Sequence, residues 1–115
     1  MKESREARAE RQARQEWLFV NVLRRAGNQV DAEVEVTPDR KWRVDYVVND
    51  EIAVEIQGFG FGHVGRAGWL RDIEKAQWIA VRGWLYVPVT REQIASGDAL
   101  EALSRCGVAV EGPSE

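Results

Sequence analysis

The chain has 115 residues, 44% apolar and 30% charged, with a formal net charge of −3 and one cysteine, Cys106. This is enough for one core but not two, the composition is that of a globular protein, and a lone cysteine excludes an internal disulfide and a cysteine-based zinc cluster. Residues 1–25 carry seven Lys/Arg against four Asp/Glu, residues 26–90 seven against ten and residues 91–115 two against five, which excludes coating of nucleic acid by bulk charge but permits a local basic arm beside an acidic site.

From Lys2 to Arg25 there is neither proline nor glycine, and the residues are mostly good helix formers, so one long helix is expected with Gly27 beyond its end. Its first part, residues 1–15, reads as an exposed basic arm carrying Arg5, Arg8, Arg11 and Arg14. Phe19, Val20 and Leu23 form an apolar stripe, and Glu16, three residues before Phe19, turns its carboxylate toward the protein body. VDAEVEV, residues 30–36, alternates apolar and acidic and reads as a half-buried strand, followed by a turn at Thr37-Pro38-Asp39-Arg40. Trp42 to Val48 and Ile52 to Gln57 are the next two strands, and the spaced glycines of GFGFGHVGRAG form a connector.

A helix is expected over 69–82, closed by Gly83. LYVPVT is apolar on both faces, as in a central covered strand, with Pro88 marking an end or an unpaired amide. Thr90 with Gln93 and Asp98 with Glu101 have capping-box spacing, so two short helices follow, and residues 111–115 are a frayed tail. The five tryptophans read as core or half-core residues. The order defines one small α/β or α+β domain, a sheet flanked by helices. No apolar run reaches the roughly 20 residues of a membrane span and the start lacks a signal-peptide segment, so no membrane partner and a cytoplasmic location are expected.

RVDYVVNDEIAVEIQG, residues 43–58, sets Asp45 and Glu55 inside two apolar runs. A two-residue turn would mix charged and apolar side chains on one face. A three-residue loop, Asn49-Asp50-Glu51, instead pairs Val48 with Ile52, Tyr46 with Val54 and Val44 with Ile56, making one face wholly apolar, so burial selects it. That register sets Asp45 opposite Glu55 and Arg43 opposite Gln57. Opposed Cβ atoms lie roughly 4.5–5.5 Å apart, so the two carboxylates repel unless a cation lies between them. A hard divalent ion, Mg²⁺ with Mn²⁺ able to substitute, suits oxygen donors without cysteine.

An aspartate in one strand, a glutamate near the end of the next in a Glu-x-Lys-like motif, and the order αβββαβ resemble the PD-(D/E)xK nuclease superfamily, with its restriction-endonuclease-like fold and mixed four-stranded sheet. WRVDY, AVEIQGFGFGH, DIEKAQ, RGWLYVPVT and EQIASGDAL, in that order between Trp42 and Leu100, are similar to small phage-type and very-short-patch-repair-like endonucleases. The resemblance implies metal-dependent phosphodiester hydrolysis in DNA, leaving a 5′-phosphate. It assigns Asp45, Glu55 and the Ile56 backbone carbonyl as metal ligands, and Glu16 as the first-helix glutamate that completes the site. Position 57 departs from the signature, with Gln in place of Lys, and a neutral amide cannot stabilise charge as an ammonium does. Lys75, in the DxEK pattern, is the cation the resemblance brings near the site.

For DNA contacts the candidates are Arg43, His63 and Arg66 of the glycine-rich loop, and Arg71 with Lys75 on a helix face shared with Trp78 and Arg82. His63, the single histidine, is a candidate general base or phosphate ligand. Within the nuclease reading the choices are a Holliday junction resolvase, a DNA repair nickase or a less selective phage nuclease. A resolvase acts as a symmetric dimer, for which the long helix is an available interface. The competing reading is a nuclease fold without catalysis, a DNA-binding or assembly module.

Overall fold

The computed structural model describes residues 2–58 and 65–112. In chain order the elements are α1 (Arg5–Arg25), β1 (Val30–Glu35), β2 (Arg43–Val48), β3 (Ile52–Gln57), α2 (Gly65–Val81), β4 (Leu85–Thr90), α3 (Arg91–Ser96) and α4 (Asp98–Arg105). The result is a mixed α/β chain with a four-stranded sheet in the order β1-β2-β3-β4, antiparallel between β1, β2 and β3 and parallel between β3 and β4. Contacts cluster into two units: a helical one, through residue 28 and again from residue 91, and an α/β one over residues 29–90.

In the helical unit, α1 begins at Ser4, whose Oγ accepts the Ala7 N–H at 3.0 Å. The helix ends before Gly27, which takes the left-handed φ of 98° that lets the chain leave it. Phe19, Val20 and Leu23 are buried as their spacing predicts. Within the basic arm, Arg11 grips Glu3 through two nitrogens at 2.9 Å, an exposed fork that stiffens the first turns and adds little stability. α1 packs on α3 and α3 on α4, while the Asn28 amide donates to the carbonyls of Leu23 and Ala109 and ties the C-terminal segment to the helix end. Asp98 is not the cap of α4. Gly97 holds that position with a left-handed φ of 92°, and Ser96 Oγ accepts the Asp98 N–H instead.

In the α/β unit the three-residue hairpin forms as burial demands, with Val48 opposite Ile52, Val47 opposite Ala53 and Tyr46 opposite Val54. Asn49 and Asp50 both have positive φ, 54° and 53°, which their short polar side chains tolerate. Asp50 also accepts the Trp84 indole N–H at 3.3 Å, and Glu51 the Leu85 N–H at 2.8 Å, tying the loop to the start of β4. A second polar knot closes the β1–β2 turn, where the Thr37 hydroxyl donates to Asp39 at 2.6 Å and the Lys41 N–H donates to both side chains. That hydroxyl and the Lys41 amide hold the Asp39 carboxyl below its ordinary pKa.

Val36, Val44, Val47, Ala53, Ile79 and Trp84 form one buried cluster, joined by Val34, Trp78 and Tyr86, so α2 packs on the sheet through Trp78 and Ile79. β1 breaks its alternation at Glu33, where φ is 50°, leaving Ala32 exposed. α2 begins four residues before the expected Trp69. β4 is an edge strand and not a central one: Leu85 is exposed, and Pro88, which cannot donate to a ladder, sits where an edge tolerates it. Trp17 and Trp69, expected in or near the core, are exposed.

Candidate functional site

The site grows from a change in pairing at one end of the hairpin. The β2–β3 ladder stops at Tyr46–Val54, so the expected opposition of Asp45 with Glu55 and Arg43 with Gln57 is not made as ladder pairs. The Asp45 carboxylate takes over: its Oδ2 accepts the Ile56 N–H at 2.7 Å. An extended residue points its N–H and C=O to the same edge of the strand, so Ile56 directs its carbonyl toward β2 as well. Meanwhile β3 stays paired with β4 through Gln57–Thr90. The consequence is a fork between β2 and β3 with Asp45 at its crotch and the Ile56 backbone on its far wall.

Asp45 and Glu55 keep the same parity in the register and thus share a face of the sheet. Glu55 is half-buried, and its Oε2 accepts from Lys75 Nζ at 2.6 Å; the side chains of Lys75 and Glu55 are only 20% and 15% exposed. Burial pushes the Glu55 carboxyl above its ordinary pKa; the Lys75 hydrogen bond and charge pull it back, and the charges of Asp45 and Asp72 push it further up. A cation beside the two acids is therefore supplied in part by the chain itself, from the C-terminal half of α2. Lys75 also places an ammonium at the site where Gln57 has none.

Gln57 donates through Nε2 to the Tyr86 hydroxyl at 3.0 Å. Burial, then the charges of Glu55 and Asp72, push the Tyr86 phenol up to about 12, so it stays a neutral donor at physiological pH. Glu55, Gln57, Lys75 and Tyr86, with Trp69, Asp72, Ile73, Ala76 and Ile79, line a cavity of about 390 Å³ between α2 and the sheet.

Glu16 belongs to the helical unit, where Arg91 donates to its Oε1 at 2.9 Å. Arg43 is the register partner of Glu35 on β1 and lies 3.8 Å from its carboxylate. The stripe Arg71, Lys75, Trp78 and Arg82 is not one phosphate-facing surface. Lys75 turns to Glu55, Trp78 packs on the core, and Arg82 donates to the carbonyls of Glu35 and Val36 while its guanidinium lies over Trp84. Arg66 and Arg71 are exposed on α2. His63 lies outside the described residues.

Asp72, Tyr86 and Trp69 were not singled out from the sequence. Asp72 stands inside DIEK, among other charges that hide it, and Tyr86 inside LYVPVT, where its hydroxyl in an otherwise apolar run was the signal.

The donor set suits a hard cation in kind: Asp45 and Glu55 share a face beside the Ile56 backbone, and the bonds to Ile56 and Lys75 each use only one oxygen of Asp45 and Glu55. Among the described residues, no group of three His, Cys, Asp or Glu side chains is gathered closely enough to hold a metal alone, so an ion here would need a backbone, water or substrate ligand as well. Among the described residues no helix is long and apolar enough to cross a membrane. No known protein family, curated protein or solved structure matches the chain.

Proposed function

We propose that the chain is a metal-dependent DNA endonuclease, a phosphodiester hydrolase, working at the β2–β3 fork. The observation that carries this reading is the meeting of Asp45, Glu55, the Ile56 backbone and Lys75 at one parted strand pair. Asp45, Glu55 and the Ile56 carbonyl would hold a Mg²⁺ or Mn²⁺ ion, with Glu16 the residue that the family resemblance adds. When bound, such an ion polarises the phosphate and lowers the pKa of water. Lys75 offers its ammonium to the charge that builds on the phosphate oxygens, the part that Gln57 cannot play. Gln57, held by Tyr86, orients water or substrate through its amide oxygen. Arg66 and Arg71 are the exposed cations for backbone phosphates, and His63 and Arg43 complete the proposed contacts. The protein would act on DNA in the cytoplasm, as a homodimer if it resolves junctions.

The test is cleavage of four-way junction, nicked and linear DNA compared side by side in Mg²⁺, Mn²⁺ and EDTA, with Asp45→Asn as the control. Metal-dependent cutting lost in the variant supports the reading; cutting that persists in EDTA or in the variant overturns it. One observation favours a second reading, a DNA-binding or assembly module without catalysis: Lys75 already neutralises Glu55 at 2.6 Å. DNA binding by the wild type with no cleavage in either metal would establish it.

A further inference from the structure

The cavity beside the fork shares Glu55, Gln57 and Lys75 with the proposed hydrolytic site, but the rest of its lining has a composition that hydrolysis does not use. Its walls are apolar and aromatic, Trp69, Ile73, Ile79 and Tyr86, and its polar groups are mainly acceptors, the Asp72 and Glu55 carboxylates, with Gln57 between them. Among the described residues Lys75 is the one cationic side chain of the lining, and it is paired with Glu55. With no cation bound, the Asp72 and Glu55 carboxylates outnumber that ammonium, so the described lining disfavours a bare phosphate. A flat, neutral heteroaromatic group that carries amino donors meets the opposite: indole and phenol faces to lie against, and carboxylate and amide oxygens to accept its N–H groups. At about 390 Å³ the cavity sits near the lower end of ligand pockets, roughly 300–1,000 Å³, with room for one such group and not for a stacked pair of strands. Trp69 lines it while keeping 56% of its surface exposed, so its indole is available to an incoming base.

We propose that this cavity receives a single unstacked nucleobase, preferring the amino-bearing bases, next to the phosphate held at the fork. This rests on the endonuclease reading and extends it to a substrate class: DNA containing an unpaired nucleotide. Extruding a base from an intact duplex costs a few kcal/mol, whereas a bulged or mismatched base is already released. The selectivity thus comes from the substrate's own unpairing, with Trp69 stacking and Asp72 accepting.

The test separates binding from cutting by working in EDTA. Fluorescence anisotropy compares three duplexes of one sequence: fully paired, with a single bulged cytidine, and with the same bulge lacking its base. The wild type should hold the base-containing bulge about tenfold tighter than the abasic one, the scale of one stacked base. Trp69→Ala should abolish that preference, Trp69→Phe should restore most of it, and Asp72→Asn should weaken binding of the cytidine bulge more than that of a further duplex bulged with thymidine instead. Equal wild-type affinity for the base-containing and abasic bulges overturns the proposal without recourse to any variant. Failure of the endonuclease reading shows differently: base-dependent binding in EDTA would remain, with no cleavage of any of the three duplexes in Mg²⁺ or Mn²⁺.

Discussion

Along its β1 edge, β2 is paired from Val48 down to Arg43 with only Asp45 passed over, opposite Glu33, whereas along its β3 edge the pairing stops at Tyr46. The two edges belong to one strand with one set of backbone groups, so the difference lies in what each neighbour presents. On the β1 side the last register pair is Glu35 with Arg43, opposite charges that attract across the strands. On the β3 side the next pair would be Asp45 with Glu55, two carboxylates roughly 4.5–5.5 Å apart at Cβ, which repel. The first edge closes and the second parts, with the Asp45 side chain replacing a backbone acceptor for Ile56. Both edges meet an acid opposite Asp45, Glu33 on one side and Glu55 on the other; the β1 edge steps over its acid pair at the positive φ of Glu33 and pairs again at Val34–Val44 and Glu35–Arg43, whereas the β3 edge does not resume.

The strongest way to break this comparison is to remove the charge of Asp45 and keep its shape. Asp45→Asn retains an oxygen for the Ile56 N–H, so the fold should hold, while metal-dependent DNA cleavage should fall on the order of 10³-fold, about 4 kcal/mol of lost metal assistance. Unchanged cleavage rates in a single-turnover assay would remove Asp45 from the site.

Next in size is the ion pair that faces the fork. Lys75→Ala leaves Glu55 half-buried without its partner and should lower unfolding free energy by about 2–3 kcal/mol in urea titrations. In a double-mutant cycle with Glu55→Gln the coupling should be about 1 kcal/mol or more. Additive effects of the two changes would mean that the 2.6 Å contact contributes nothing to folding.

Asp45→Ala, unlike Asp45→Asn, deletes the acceptor of the Ile56 amide and should cost about 1–2 kcal/mol. Amide hydrogen exchange at Ile56 should speed up in the alanine variant and stay near wild type in the asparagine one. If both variants exchange alike, the carboxylate is not what holds the fork open.

The smallest effect is on pH dependence. Because the Glu55 pKa is raised above its ordinary 4.5 in the folded chain, the folded state binds the proton more tightly than the unfolded one. The added stability is present below pH 4.5 and is lost as the pH climbs through the raised value. Compared with Glu55→Gln, the wild type should therefore lose ground as the pH rises from 4.5 through the raised value, read as the difference in urea midpoints. A difference that grows with pH would reverse the sign and imply that Lys75 outweighs burial.

Much of the sheet could be read from residue types. The hairpin register followed from Val48, Tyr46 and Val44 facing Ile52, Val54 and Ile56, because only one register buries them together. The fork could not be read this way, since the apolar alternation runs on past Tyr46 and would suit a longer ladder. LYVPVT looked central because both its faces are apolar; strand order is a matter of partners, and β4 proved to have a neighbour on one side only. For the site, Asp45 and Glu55 were legible as acids in apolar runs. Lys75 emerged through motif resemblance, and its contact with Glu55 depends on the rotation of α2, which spacing within that helix leaves open. Tyr86 and Asp72 were hidden for the same reason: each faces the cavity only once α2 and β4 have been set beside β3.

The β3–β4 pairing is parallel, so it can close only through the long crossover that contains α2, whereas β1, β2 and β3 zip together through short reversals. Closing a longer loop costs more chain entropy, and distant contacts are made later. During folding, Asp45 and Glu55 are consequently delivered to one place before Lys75 arrives to quiet them. Salt or acid, by screening or removing that early repulsion, should quicken the meander's assembly while leaving the crossover's rate untouched, a separation that stopped-flow refolding can resolve.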